Sequence, residues 1–251
     1  MIRPSHQTIR GAPIGDDERS AARAVRQMFT DIAPRYDLLN HLLSVNVDRL
    51  WWRRTARTFA HILRRNDARA LDLCCGTGDM AFALAKMRGG SKAKIVGADF
   101  SHAMLVRAEA KSAGTNLRWL EADALHLPLP DSSFDLVVTA FGFRNLANYD
   151  AGLREIARVL RPRGEVGILD FGQPGGLLGK LYAFYFRRVL PRIGTLISGV
   201  RGPYEYLPAS VERFPSPDEM LHRMRAAGFS ELSWTPYTFG IAGLFRGRRT
   251  F

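Results

Sequence analysis

After Asn66 the chain settles into one rhythm, in which short apolar runs alternate with stretches of helical periodicity. Residues 70–75, 94–99, 117–121, 134–140 and 165–170 read as strands. Residues 79–87, 103–111 and 151–160, lying between them, read as helices. A strand–helix–strand order returns the chain parallel to itself, so the pattern predicts an α/β fold with a doubly wound, mostly parallel sheet. Residues 217–227 give a last helix, and 231–237 and 240–245 a closing antiparallel strand pair.

The flanks have their own character. Residues 1–18 carry Pro4, Gly11, Pro13 and Gly15 with little apolar periodicity, as a mobile tail does. Residues 20–65 are helical in pattern. Val25, Met28, Phe29 and Ile32 recur at three- and four-residue steps, then Leu38, Leu39, Leu42 and Leu43 do so beyond Pro34. The expectation is a single domain over 19–251: N-terminal helices (20–65), a central core (66–171), a helical lid insertion (172–208) rich in aromatics and arginine, and a C-terminal helix with strands (209–247).

No run reaches the roughly 20 uninterrupted apolar residues of a membrane span. The most apolar stretch, 175–200, is broken by Lys180, Arg187, Arg188 and Arg192. The N-terminus lacks a signal-peptide pattern, so a cytoplasmic location is expected. Cys74 and Cys75 are adjacent, which suits neither a structural disulfide nor a zinc site, and no metal is expected. The formal net charge is +12. It favours an anionic partner without choosing among nucleic acid, anionic lipid and an acidic ligand.

Residues Ala70-Leu-Asp-Leu-Cys-Cys-Gly-Thr-Gly-Asp79 run from a strand through a Gly-x-Gly turn into a helix. Gly76 and Gly78 allow a tight turn and close backbone approach to a ligand. Continued to Ala81, the spacing also satisfies a dinucleotide fingerprint, so the motif alone leaves NAD and S-adenosylmethionine open. Charge separates them. Asp72 and Asp79 bracket the loop and would repel a pyrophosphate, whereas S-adenosylmethionine brings an ammonium and a sulfonium. Asp99 ends the next strand, where a ribose-binding carboxylate belongs, and Asp123-Ala124 follows the third, within reach of an adenine amino group. Acids at successive strand ends line the edge where open α/β sheets bind ligands.

Beyond the loop, several blocks carry a closer likeness. They are Phe29-Thr-Asp-Ile-Ala-Pro-Arg-Tyr-Asp-Leu-Leu-Asn40, Arg49-Leu-Trp-Trp-Arg53, Leu127-Pro-Leu-Pro-Asp-Ser-Ser-Phe-Asp135, Phe141-Gly-Phe-Arg-Asn145 and Tyr204-Glu-Tyr-Leu-Pro-Ala-Ser210. Over about residues 24–246 the chain resembles the ubiquinone/menaquinone biosynthesis C-methyltransferases, within the class I S-adenosylmethionine-dependent methyltransferases. The resemblance implies cofactor contacts at Thr77, Asp99, Asp123 and Ala124. A further family position, commonly serine, falls on Ala140, where only a backbone contact survives. Cys74-Cys75, where many members have Gly-Gly, resembles the menaquinone branch. The resemblance thus implies methylation of demethylmenaquinol, with a ubiquinone-pathway quinol, or an RNA or small-molecule methyltransferase, as alternatives.

Methyl transfer from a sulfonium needs alignment and an electron-rich carbon, and a ring carbon becomes one when a neighbouring hydroxyl ionises. Arg144 is expected to polarise a water or hold the hydroquinolate, with Asn145 orienting the same oxygen. Arginine does not deprotonate in proteins, so Arg144 is no base. Tyr36 and Asn40 are expected to cover the substrate, Tyr36 shielding the sulfonium through its ring. A prenylated quinol lies in a bilayer. The aromatic and basic segment 181–190, and Trp51 and Trp52 beside Arg49, Arg53 and Arg54, suggest peripheral contact with an anionic membrane at the inner face of the cytoplasmic membrane rather than with nucleic acid. Pairing with a second copy as a homodimer is left open.

Overall fold

The computed structural model describes residues 17–33, 47–174 and 202–250. Tyr36, Asn40 and the segment 181–190 lie outside the described residues.

Helix α1 spans Glu18–Ile32. Asp17 starts it: its carboxylate accepts from Ser20 N at 2.7 Å, and Ser20 Oγ accepts from Asp17 N at 3.0 Å. This reciprocal cap satisfies two backbone donors. Helices α2 (Val47–Thr58) and α3 (Ala60–Leu63) lead into the alternating region. There β1 (Arg69–Leu73), α4 (Asp79–Met87), β2 (Lys94–Asp99), α5 (His102–Lys111) and β3 (Arg118–Glu121) follow one another. β4 (Phe134–Ala140), α6 (Tyr149–Val159) and β5 (Leu160–Phe171) complete the parallel part. α7 (Gly202–Arg213), α8 (Pro217–Ala226), β6 (Phe229–Tyr237) and β7 (Ala242–Arg249) close the chain.

The sheet order is β3-β2-β1-β4-β5-β7-β6. β1 through β5 pair in parallel, and β7 runs antiparallel to both β5 and β6. The expected doubly wound sheet with its antiparallel closing pair is present. Both faces are covered, and the side-chain alternation of β4 shows how. Val137 packs into the cluster with Leu153, Ile156 and Met220, while Leu136 and Val138 pack with Phe59, Leu84 and Leu244 on the other face.

Several boundaries differ from the sequence reading, β5 among them, which begins at Leu160 rather than 165; three of the shifts have a local reason. β1 stops at Leu73 because Cys74 turns out of the sheet at φ 56°. β7 begins only at Ala242, because Thr238–Gly240 forms a tight turn. It then runs on through an arginine-rich end to Arg249, beyond the expected limit of 245. Those arginines are partnered: Arg246 and Arg248 pair with Glu165 at 3.4 and 3.1 Å, and Arg248 with Glu231 at 3.0 Å. α7 crosses position 208, where the lid was expected to end, and continues to Arg213 with Pro208 inside it.

Trp51 and Trp52, read from the sequence as neighbours of a membrane surface, are instead buried, at 5% and 9% exposure. They sit on the inward face of α2, against the sheet. Among the described residues no helix is long and apolar enough to cross a membrane.

Candidate functional site

β1 lies between β2 and β4, so the chain leaves β1 in one direction across the sheet and returns beyond it in the other. The crevice outside the C-terminal ends of β1 and β4 is where such a sheet admits a ligand. A pocket of about 350 Å³ lies there. Asp72, Gly76, Thr77, Asp99, Asp123, Ala124, Arg144 and Asn145, all candidate residues from the sequence, line it. Ala140 lines it as well, at the end of β4.

Gly78 is not among the residues that line it. At φ 89° it caps the start of α4, and a Cβ there would stand 2.5 Å from Trp119 Cη2. Its requirement is conformational and steric. Gly76, at φ 54°, does face the pocket and donates its N–H to Asp99 Oδ2 at 2.8 Å. Ser101 N–H donates to Asp99 Oδ1 at 2.9 Å. The Asp99 carboxylate is thus fixed by two amides, and each oxygen keeps lone-pair capacity for a further donor. Burial pushes its pKa up to about 6.

Asp72 is fully buried, and neither of its oxygens has a hydrogen-bond partner among the described residues. Burial drives its carboxyl well above the usual range; the Ala81 amide, which approaches without meeting hydrogen-bond geometry, offsets this in part, and the nearby Asp99 and Asp79 add to it. An orphaned acid at the floor of a pocket is a site for a cationic or hydrogen-bond-donating group. Asp79, the other acid expected to bracket the loop, is paired: Lys111 Nζ lies 3.3 Å from its Oδ1 and donates to Thr77 Oγ1 at 3.0 Å. The electrostatic case for a cationic ligand therefore rests on Asp72 and Asp99. Asp123 is half-exposed, and its Oδ1 accepts from Leu125 N at 2.9 Å, while Ala124 beside it is buried.

α1 closes over this half of the pocket. Ala22 and Phe29 line it, Thr30 Oγ1 lies 3.2 Å from Ser101 Oγ, and Arg26 pairs with Glu121 at the end of β3.

Across the crevice, Phe143–Asn145 forms a single 3-10 turn after β4. Arg144 is 6% exposed. Its Nη1 donates to Asp170 Oδ1 at 3.0 Å and also to Phe141 O, and its backbone N–H donates to Asp170 Oδ2 at 3.0 Å. Its Nε is buried without a partner among the described residues. Asn145 Oδ1 accepts from Tyr206 Oη at 3.0 Å. Sequence reasoning missed Asp170 and Tyr206. Asp170 lies near the end of β5 and carried the same strand-end signal as Asp72 and Asp99; Tyr206 carried none beyond its place in a matched block.

The wall beyond Arg144 is aromatic. Phe141 and Phe171 stand 4.7 Å apart by ring centroid, Trp51 lies 5.7 Å from Phe141 and 6.3 Å from Phe171, and Arg144 Cζ lies 5.1 Å over the Phe171 ring. One half of the pocket is thus acidic and the other aromatic.

The residues match known proteins closely. The sequence profile of the ubiE/COQ5 methyltransferase family matches residues 16–249. A Deinococcus radiodurans protein named demethylmenaquinone methyltransferase is 48% identical over 238 residues, 94% of this chain and 96% of its own. A Thermus thermophilus protein of the same name is 50% identical over 225 residues, 88% of this chain and all of its own, 100%. Among solved structures, a Thermotoga maritima S-adenosylmethionine-dependent methyltransferase, described as a possible histamine N-methyltransferase, superposes with a TM-score of 0.61 at 19% identity, covering 90% of this chain and 100% of that one. At that identity it speaks for the fold alone. An orphaned buried acid, an amide-fixed acid and a topological switch point fit S-adenosylmethionine as the cofactor, and the chain belongs to the ubiE/COQ5 methyltransferase family.

Proposed function

We propose that this methyltransferase adds a methyl group to a ring carbon of a prenylated quinol, demethylmenaquinol in particular. The observation that carries the reading is the aromatic wall of Trp51, Phe141 and Phe171 facing the acidic half of one pocket. A flat hydrocarbon ring suits the first and a cationic cofactor the second. The names of the relatives, nearly half identical to this chain, supply the particular quinol.

S-adenosylmethionine, when bound, supplies an electrophilic methyl group on a sulfonium centre. Asp72 would meet its positive charge, Asp99 would accept from its ribose hydroxyls, and Asp123 with Ala124 would receive the adenine. Across the pocket a hydroquinol hydroxyl loses its proton and pushes electron density onto the neighbouring carbon. With the cofactor bound, that carbon would take the methyl group as the sulfonium S–CH3 bond breaks and S-adenosylhomocysteine leaves. Its ring hydrogen would then be lost as a proton and the oxygen reprotonated, so one proton is released net and the transfer is redox-neutral.

The chain's task is to favour the ionised hydroxyl and keep water out. Arg144 forms a neutral pair with Asp170, so what it offers the substrate oxygen is directed N–H donors more than free charge. Tyr206 holds the Asn145 side chain for the same oxygen. The aromatic wall excludes water that would compete for the methyl group.

Quinone profiling of a strain lacking the gene tests the reading. Loss of menaquinone with accumulation of its demethyl form is expected. An unchanged menaquinone pool would overturn it, and an unmethylated ubiquinone precursor in its place would transfer the activity to the other quinone.

A further inference from the structure

α2 has two distinct faces. Trp51, Trp52, Thr55 and Ala56 are buried. Arg49, Leu50, Arg53, Arg54 and Arg57 are exposed, at the spacing of one helical face. The helix's acid, Asp48, is buried at 4% exposure, so the outer face carries four guanidinium groups and no carboxylate. Leu50 stands among them at 61% exposure.

The turn between β6 and β7 joins this face. Trp51 Nε1 donates to Thr238 Oγ1 at 2.8 Å, so the turn that carries Phe239 is bonded to the helix that carries Leu50, and together they form one rim. That rim borders the pocket, since Val47, Trp51, Thr238 and Ile241 line it. Phe239 sits in the left-handed region at φ 58° and is 83% exposed. A phenylalanine there is strained where glycine would not be, and its ring is left in water. Two of the three strongly exposed large hydrophobic side chains among the described residues are therefore Leu50, among the arginines of α2, and Phe239, on the turn bonded to that helix.

We propose that the outer face of α2 and the β6–β7 turn form the surface on which the enzyme docks to an anionic lipid bilayer. Phe239 and Leu50 enter the interface, and Arg49, Arg53 and Arg57 meet lipid phosphates. An exposed aromatic tip on a turn bonded to a helix face of guanidinium groups matches a surface that is apolar beneath and negative above. The inference rests on the reading of the substrate as lipid-soluble: docking by this rim turns the pocket mouth toward the phase that holds it.

Co-sedimentation with vesicles tests the proposal. The full chain should bind vesicles of equal parts phosphatidylcholine and phosphatidylglycerol and bind pure phosphatidylcholine far less, with the difference fading as salt rises. Phe239→Gly should weaken binding about tenfold, the scale of withdrawing one large apolar side chain. Because glycine relieves the left-handed backbone, its melting temperature should not fall. Leu50→Ser should act in the same direction, and Arg53→Gln with Arg57→Gln should cost about fivefold each.

Methyl transfer to a short-tailed demethylmenaquinol without vesicles should be unchanged in Phe239→Gly. A wild type that ignores anionic vesicles, or a Phe239→Gly variant that binds them normally, overturns the docking surface. A wild type that binds vesicles but does not methylate the short-tailed quinol leaves docking intact and removes the substrate reading instead.

Discussion

Arg144 and Asp170 form a buried ion pair that is closed twice. The guanidinium reaches one carboxylate oxygen at 3.0 Å, and the backbone amide of Arg144 reaches the other at 3.0 Å. The pair ties the 3-10 turn after β4 to the end of β5. Burial raises the Asp170 carboxyl above its ordinary pKa, and the guanidinium beside it partly offsets that. The arrangement fixes the direction of Arg144 and removes most of its net charge from the pocket.

Breaking the pair from either side should therefore have two separable effects. Arg144→Ala should destabilise the fold by about 3–5 kcal/mol, because Asp170 is left buried and uncompensated. It should also slow methyl transfer by ~10²-fold or more. Asp170→Asn keeps the shape and should cost less stability while still slowing turnover, and Arg144→Lys should recover only part of the rate. Thermal melts beside single-turnover rates distinguish these. An Arg144→Ala enzyme with a normal rate would confine the pair to a structural role.

Asp99 gives a prediction in pH. Burial lifts its carboxyl to about 6, so it is ionised above that pH and protonated below it. Affinity for S-adenosylmethionine, measured by calorimetry, should be full well above pH ~6 and decline as pH falls through it. Asp99→Ala should weaken binding by ~1.5–3 kcal/mol at neutral pH, and NAD should not bind. Flat affinity across the acid range would remove Asp99 from the contact.

Asp72 predicts a conflict between stability and binding. Asp72 and Asp99 both hold their protons to higher pH in the folded chain than in the unfolded one. Across the interval above the ordinary carboxylate pKa the folded state binds more protons, so these two groups make stability fall as pH rises. Asp72→Asn should stabilise the cofactor-free protein at neutral pH by ~1–3 kcal/mol and weaken cofactor binding. Chemical denaturation with and without S-adenosylmethionine reads both. A variant that loses stability would mean Asp72 has a partner in the fold.

Gly78→Ala should lower stability without touching the ligand directly. The new Cβ meets the Trp119 ring at 2.5 Å and must accept φ 89°. The two together amount to about 2–4 kcal/mol. Trp119→Leu in the same chain should restore the steric part, and a melting series of the single and double variants checks the coupling.

Much of the fold was legible because strand and helix signals did not conflict. β2, β4 and α4 begin and end where their apolar periodicity does. β7 was cut short because Arg246, Arg248 and Arg249 look solvated in sequence, and only the fold brings Glu165 and Glu231 to Arg246 and Arg248. The acidic half of the site was readable, since Asp72, Asp99 and Asp123 mark strand ends. The state of each acid was not: Lys111 neutralises Asp79 while Asp72 stays unpartnered, and that depends on where α5 ends. The tryptophans misled for a related reason. Arg49 and Arg53 flank them in sequence, but a helix turns Trp51 and Trp52 inward and the arginines outward.

Methyl transfer by the purified enzyme to a short-tailed demethylmenaquinol is the most direct test. The assay is kept anaerobic so that the quinol stays reduced, with product identified by mass spectrometry. The account predicts one methyl group on the quinol ring carbon, one S-adenosylhomocysteine released per product, and no product from the oxidised quinone, which lacks an ionisable hydroxyl. Equal turnover of the oxidised quinone, or methylation on oxygen in place of carbon, would contradict it.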